Sequence, residues 1–416
     1  MARMAVLDAI TQLDTARRQT LALVAGLSDE QVERVHSPLL SPLAWDLGHI
    51  AAFEDLWLAH RHGGLPLLHA ELADVYDAVE TPRAHRGELP FLRRADAEEY
   101  MCAVRDRVRE LEYGPLHELV ARHEYQHAET MLQTLNIARL TLDLPASERP
   151  AAPPPSSGVE LVDVGGGTFP LGAGTEGFAY DNERPQHLIE VGSFRIGRTA
   201  VTNGDWLEFI DDGGYSRREW WSEAGWAWRR AEQGERPLNW LPGSQTWTLG
   251  GGAGTLDPAR PVAHVSWFEA DAFVRSHGLR LPSEAEWEFA ATWAGDAKLA
   301  WPWGSESPDP QRANLIESGW LEPAPAGSLP AGGAPCGALG MIGDVWEWTS
   351  TEFDGYPGFV AHPYPEYSEV FFGSGYRVLR GGSFAASGQV ATPTFRNWDH
   401  PQRRQIFAGL RVAAEA

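Results

Sequence analysis

The chain has 416 residues, with 57 acidic against 34 basic side chains and a formal charge of −23. A surface of that sign repels phosphate backbones and argues against a nucleic-acid partner, although it leaves room for a locally basic pocket. The length suits two or three domains. No run of about 18 apolar residues marks a membrane span, and MARMAVLDAITQLD at the N-terminus holds no signal-peptide core. The cysteines, Cys102 and Cys336, stand far apart with no CxxC or Cys–His zinc spacing. Together these features predict a cytoplasmic protein with free thiols.

Residues 1–145 read as helical. Val6, Ile10, Leu13, Leu21 and Val24 fall near a 3.6-residue spacing with charges between them. Similar patterns predict helices over about 41–61, 95–112 and 115–142. Four helices joined by loops predict an all-α, antiparallel four-helix bundle. ASERPAAPPPSSG, residues 146–158, is a proline-rich linker. In residues 159–416 glycine, tryptophan and proline are dense, and strands are expected at 161–164, 188–195 and 376–380. Ser283 and Glu286 in LPSEAEWEFAA form a capping box that predicts a helix. This half is expected to be an irregular α+β domain held by buried aromatics, with Trp346 and Trp348 in its core.

One short stretch carries chemistry. In HEYQHAE, residues 123–129, His123 and His127 are four apart. On a helix they share a face, about 5–6 Å apart, and two imidazoles could reach one ion. Glu129 projects roughly 200° around the helix from His127 and is excluded as a ligand. A tripod needs a third group from another helix, and the candidate is His49, in SPLAWDLGHIAAFEDLWL. An unpaired imidazole is costly to bury in such an apolar helix. The same residues also fit a solvated helix face and a hydrogen-bonded core histidine. If they do hold a metal, three neutral imidazoles with open positions suit Zn, Fe(II), Cu or Ni.

Several longer stretches form a series. FAYDNERPQH (178–187), LPSEAEWEFAA (281–291), GALGMIGDVWEWTS (337–350), RVLRGGSF (377–384) and FAGLRVA (407–413) together resemble the formylglycine-generating-enzyme, or sulfatase-modifying factor, domain. That resemblance covers nearly all of 159–416 and implies a C-type-lectin-like fold. WDLGH followed by HxxxHxE resembles the DinB-type four-helix bundle. The fusion in this order resembles the ergothioneine-pathway sulfoxide synthases (hercynine oxygenases). The likeness is closest in YPGFVAHPYPEYSEVFFG (356–373) and FRNWDHPQRRQIFAG (395–409).

The resemblance implies a non-haem Fe(II) enzyme that uses O₂ to couple the sulfur of a thiol to imidazole C2 of hercynine, yielding a sulfoxide. It implies His49, His123 and His127 as iron ligands and Gln126 at the imidazole substrate. Asn397 and Trp398 would hold the trimethylammonium group. Tyr364 matches a tyrosine that delivers a proton during the oxygen chemistry, and Tyr367 accompanies it. Arg83, Arg86, Asp399 and Arg403 match groups that hold γ-glutamylcysteine.

The chemistry suits these residue types. A quaternary ammonium needs aromatic faces. Carboxylates suit arginine, and a free amine suits Asp399. Three neutral ligands leave a doubly charged ion that favours a thiolate. Each residue also has a plainer reading: Arg83 and Arg86 as surface arginines, Asn397-Trp398-Asp399 as a turn, and Tyr364 as a packing residue in a proline-rich loop. The pocket is expected between the two halves, since residues from both contribute.

Close relatives of this chemistry join a selenium donor to hercynine, as selenoneine synthases do, or use free cysteine. Ovothiol synthases add a methyltransferase domain, and none follows residue 416. Formylglycine-type oxidation relies on a cysteine pair late in the domain, and residues 337–416 contain none. A non-enzymatic lectin-like binding module would need no metal.

Overall fold

A computed structural model describes residues 2–153 and 158–416, with side chains from Ala9 onward. The Val6 side chain of the expected apolar stripe and residues 154–157 of the linker therefore lie outside the described part. The chain divides into two compact units, Met1–Leu144 and Pro145–Ala416. Among the described residues, no helix is long and apolar enough to cross a membrane. Both cysteines are free, Cys102 exposed and Cys336 partly buried.

The first unit is built from α1 (Ala2–Val24), the short α2 (Asp29–Glu33), α3 (Leu43–Glu54), α4 (Arg94–Val108) and α5 (Leu116–Ile137). α1 packs on α5, and α3 packs on both α4 and α5. Leu13, Leu23 and Val24 from α1 and Met131, Leu132 and Leu135 from α5 are buried, as 3.6-residue periodicity requires. The helix expected over 41–61 begins as α3 and continues as a π-helical stretch, Asp55–His62. The helix expected to reach 142 ends at Ile137, and Arg139 turns the chain with a φ of 57°.

The core of this bundle is not wholly apolar. Arg17 of α1 bonds Glu54 of α3 at 2.6 Å and Glu124 of α5 at 2.8 Å. Arg105 of α4 bonds Glu54 at 2.7 Å. Each of the four long helices thus supplies one buried charge. Deleting one member of such a network strands its partner and costs about 3–5 kcal/mol, so the network strongly fixes the rotation of the helices about their axes.

The second unit contains β1 (Leu161–Val164), β2 (Gly167–Leu171), β3 (His187–Val191), β4 (Phe194–Gly197), β5 (Trp240–Leu241), β6 (Gln245–Thr248) and β7 (Gly252–Thr255). It continues with β8 (Trp346–Glu352), β9 (Arg377–Arg380), β10 (Asn397–Asp399), β11 (Ala408–Leu410) and β12 (Ala413–Glu415). Their sheets run β1-β4-β12, β10-β9-β8-β11, β2-β3 and β5-β6-β7. The strand expected over 188–195 is two strands, separated at Gly192-Ser193, with β3 pairing to β2 and β4 to β1 and β12. The capping box at Ser283 does start a helix, α9 (Glu284–Thr292). Three further helices are present that the sequence analysis did not anticipate: α6 (Asn203–Asp211), α7 (Glu223–Glu232) and α8 (Trp267–Ser276).

Trp346 and Trp348 are buried, as expected. The Trp348 indole donates to the Val265 carbonyl at 2.9 Å. Three arginines of the family-like motifs are buried beside them. Arg380 pairs with Glu288, Arg396 with Glu284 at 2.8 Å, and Arg411 with Glu347 at 2.8 Å. These pairs secure β8, β9 and β11, and β10 hangs on the free side of β9 with Trp398 opposite Val378. Asn397-Trp398-Asp399 is therefore an edge strand rather than a turn.

Candidate metal centre

α3 and α5 bring His49, His123 and His127 together. One nitrogen from each lies within 4.8 Å of the others. The ring centroids of His123 and His127 are 4.5 Å apart, those of His49 and His127 4.5 Å, and those of His49 and His123 5.0 Å. Glu129 stands outside this cluster. Gln126 is three residues past His123 and shares its face of α5.

The remaining nitrogens are held from behind. His49 Nδ1 donates to the Tyr76 carbonyl at 2.7 Å, which turns Nε2 towards His123 Nε2 at 3.2 Å. His127 Nδ1 donates to Asp46 Oδ1 at 3.3 Å. A carbonyl or carboxylate can only accept, so each bond fixes the tautomer and leaves the Nε2 lone pair for a ligand. Two nitrogens each about 2.1 Å from a single ion stand about 3.0–3.4 Å apart, so the 3.2 Å between His49 Nε2 and His123 Nε2 already fits a shared metal, and the third nitrogen lies within 4.8 Å.

Electrostatics agree. Burial, with the neighbouring imidazoles adding to it, keeps His123 well below the usual range. Burial does the same at His49, against the opposing bond to Tyr76. Burial, reinforced by Arg86 and Arg83, pushes His127 down to about 3. All three rings are neutral at pH 7 and can donate lone pairs. Burial pushes Asp46 up to about 6 while Arg86 and Arg83 pull it down.

WDLGH explains itself locally. Trp45 stacks on His49 with centroids 4.9 Å apart and rings 10° from parallel. Asp46 lies on the same turn and reaches His127. A Cβ on Gly48 would meet the Tyr76 hydroxyl at 2.1 Å, so only glycine lets Tyr76 close against the helix. One turn further on, Phe53 stacks on His123 at 3.6 Å and 8°. Sequence reasoning found the histidines but missed Asp46, Trp45, Gly48 and the Tyr76 carbonyl. Asp46 was detectable, being three residues before His49.

The two candidate arginines differ. Arg86 is buried, and its guanidinium donates to the Thr81 and Ala78 carbonyls and to Ser41 Oγ. It also lies over Trp45, 3.9 Å from the ring centre. Arg83 is exposed at the start of a 3-10 turn, Arg83–Glu88, and its charge is felt at Asp46 and His127.

The other candidates belong to the second unit. Trp398 stacks on Phe353 at 4.2 Å and 7°. Tyr367 meets the edge of Trp398 at 6.0 Å, and Tyr364 meets Tyr367 at 6.2 Å. Asn397 accepts a bond from the Trp398 amide through its own side chain at 2.9 Å. Asp399 faces Arg403 at 3.7 Å and accepts from Gln405 at 3.4 Å. Aromatic faces and an acid–base pair therefore adjoin along one edge strand.

Comparison with known proteins agrees with this division. Residues 147–416 match the model for the sulfatase-modifying factor enzyme 1-like domain, and residues 12–131 match the DinB superfamily. The chain is 47% identical to the hercynine oxygenase of Mycolicibacterium thermoresistibile, over 97% of this chain and 93% of that protein. It is 46% identical to the hercynine oxygenase of Mycobacterium tuberculosis, over 96% of this chain and 97% of that protein. A formylglycine-generating enzyme of Streptomyces coelicolor is 34% identical over 58% of this chain and 82% of its own length.

Proposed function

The chain belongs to the hercynine oxygenase family, and from that premise we propose that it joins a thiol to imidazole C2 of hercynine with O₂ and Fe(II), forming a sulfoxide. The thiol is γ-glutamylcysteine, and the product lies on the route to ergothioneine. The observation that carries the reading is the cluster of three neutral imidazoles, two of them held in the ligating tautomer from behind. Three imidazoles suit several metals, but chemistry with O₂ needs a redox-active one, which removes zinc. Bound Fe(II) supplies the electron transfer with O₂ and acidifies the thiol.

The protein's own groups would do the rest. His49, His123 and His127 hold the metal, while Asp46 and the Tyr76 carbonyl keep two of these rings in place. Gln126, on the face of α5 that carries His123, meets the imidazole of hercynine. Trp398 offers an aromatic surface to the trimethylammonium group, with Asn397 beside it. Asp399 takes the amine of the thiol substrate and Arg403 a carboxylate. Arg83 is better suited than Arg86 to a second carboxylate, because Arg86 is already engaged in ordering Trp45 and the 78–81 turn. Tyr364 gives a proton from its phenol during the oxygen chemistry, with Tyr367 packed against it.

The test uses protein loaded with Fe(II) under anaerobic conditions. Hercynine and O₂ are offered with γ-glutamylcysteine, free cysteine or a seleno-sugar in parallel, and products are read by mass spectrometry. Sulfoxide from γ-glutamylcysteine in clear preference is expected. Preference for cysteine or the selenium donor would reassign the donor. No coupled product with any of the three, despite stoichiometric iron, would end the reading.

A further inference from the structure

We propose that Asp181 is a positioning residue for Tyr364: its carboxylate ties together both ends of the segment 362–368 and so sets where the Tyr364 phenol stands. This rests on the reading of Tyr364 as the proton donor. Asp181 opens a 3-10 turn, Asp181–Glu183, within FAYDNERPQH. Its Oδ2 accepts the His362 amide at 3.3 Å, and its Oδ1 accepts the Ser368 hydroxyl. The Asn182 side chain donates to the same hydroxyl at 3.3 Å. Tyr180, one residue before, stacks on Tyr367 at 4.5 Å with the rings 6° from parallel. Consecutive residues of one turn thus grip the start, the end and the second tyrosine of the loop.

The loop itself is short and partly exposed. Its own structure is one 3-10 turn, Pro365–Tyr367, in which no residue is buried. Pro365 and Glu366 face solvent, and Ser368, where Asp181 bonds, is fully buried. The gripping turn, by contrast, is anchored to the domain core. The buried Arg396 donates to the Asn182 carbonyl at 2.8 Å, and Glu183 accepts from Thr394 at 2.6 Å. A short loop is held in a fixed shape by such polar ties, and a reactive group displaced by about 1 Å can lose about a hundredfold in rate.

The experiment compares Asp181→Asn, Ser368→Ala, Tyr364→Phe and the Asp181→Asn/Tyr364→Phe double variant as Fe(II)-loaded full-length proteins. The readout is the ratio of coupled sulfoxide to O₂-oxidised thiol lacking the new C–S bond, with hydrogen exchange of the 362–368 amides measured alongside. Asp181→Asn should shift the ratio towards oxidised thiol by about tenfold and speed exchange in 362–368 alone. Ser368→Ala, which keeps the His362 bond, should do the same more weakly. The double variant should match Tyr364→Phe, because nothing remains to be positioned. A wild-type ratio in Asp181→Asn beside a changed one in Tyr364→Phe would overturn the inference and leave the reading of Tyr364 standing. An unchanged ratio in Tyr364→Phe would overturn that reading instead. Unaltered exchange in the single Asp181 variant would show that the ties do not order the loop.

Discussion

Gly48→Ala tests how the histidine cluster is built without touching a ligand. The added Cβ would stand 2.1 Å from the Tyr76 hydroxyl and 2.2 Å from its Cζ. Tyr76 cannot simply swing aside. It is buried, its hydroxyl accepts the Leu92 amide at 2.9 Å, and its ring leans on Trp45. Something must move by about 1 Å, and the Tyr76 carbonyl, 2.7 Å from His49 Nδ1, sits on the residue that moves. Overpacking of this size costs about 1–3 kcal/mol, offset by up to about 1 kcal/mol of helix propensity. Losing the bond that orients a ligand costs about 10–100-fold in metal affinity, or about 1.4–2.8 kcal/mol. Anaerobic Fe(II) titration and urea denaturation read the two effects separately. A variant that loses stability yet binds Fe(II) within twofold of wild type would refute the claim that the Tyr76 carbonyl orients His49.

Asp46→Asn keeps an acceptor beside His127 but removes its charge, and should weaken Fe(II) by about tenfold in the same titration. Arg403→Ala should raise KM for γ-glutamylcysteine by about tenfold in steady-state assays and leave KM for hercynine near wild type. Equal loss for both substrates would argue against the assignment. Asp344 is buried and its carboxyl is pushed up to about 6 from an ordinary 3.8. Its contribution to stability is therefore fully present below about pH 4 and is lost as pH rises through 6, a change of about 3 kcal/mol. Asp344→Asn can keep both bonds that Oδ1 accepts, from Asn314 and Ala324, and the residue's positive φ suits asparagine. Urea unfolding between pH 4 and 7 should show the variant gaining on wild type as pH rises, and parallel curves would count against this.

The histidine cluster was legible because helical spacing is local. His123 and His127 share a face by arithmetic, and a histidine in the apolar α3 needed a partner. The groups behind them were harder to see. A backbone carbonyl such as that of Tyr76 has no sequence signature, and Asp46 lies 81 residues from its partner His127. In the second unit the capping signal read at Ser283 was equally present at Thr202 with Asp205 and at Ser266 with Glu269. Dense tryptophan and glycine around those sites masked the periodicity of helices only nine or ten residues long. Asn397 and Asp399 have turn propensity, but pairing with β9 decides their conformation. The roles of Arg380, Arg396 and Arg411 were not assigned from the sequence, since nothing nearby announces a glutamate partner 64 to 112 residues away.

The lock formed by Arg17, Glu54, Arg105 and Glu124 bears on how the proposed iron would be acquired. Four helices are keyed to one another by charge, so the container is expected to be finished before anything is placed in it, unlike small domains that fold only around their ion. Stripping iron with a chelator should therefore leave the helical circular dichroism intact, and returning Fe(II) should restore turnover without a refolding delay.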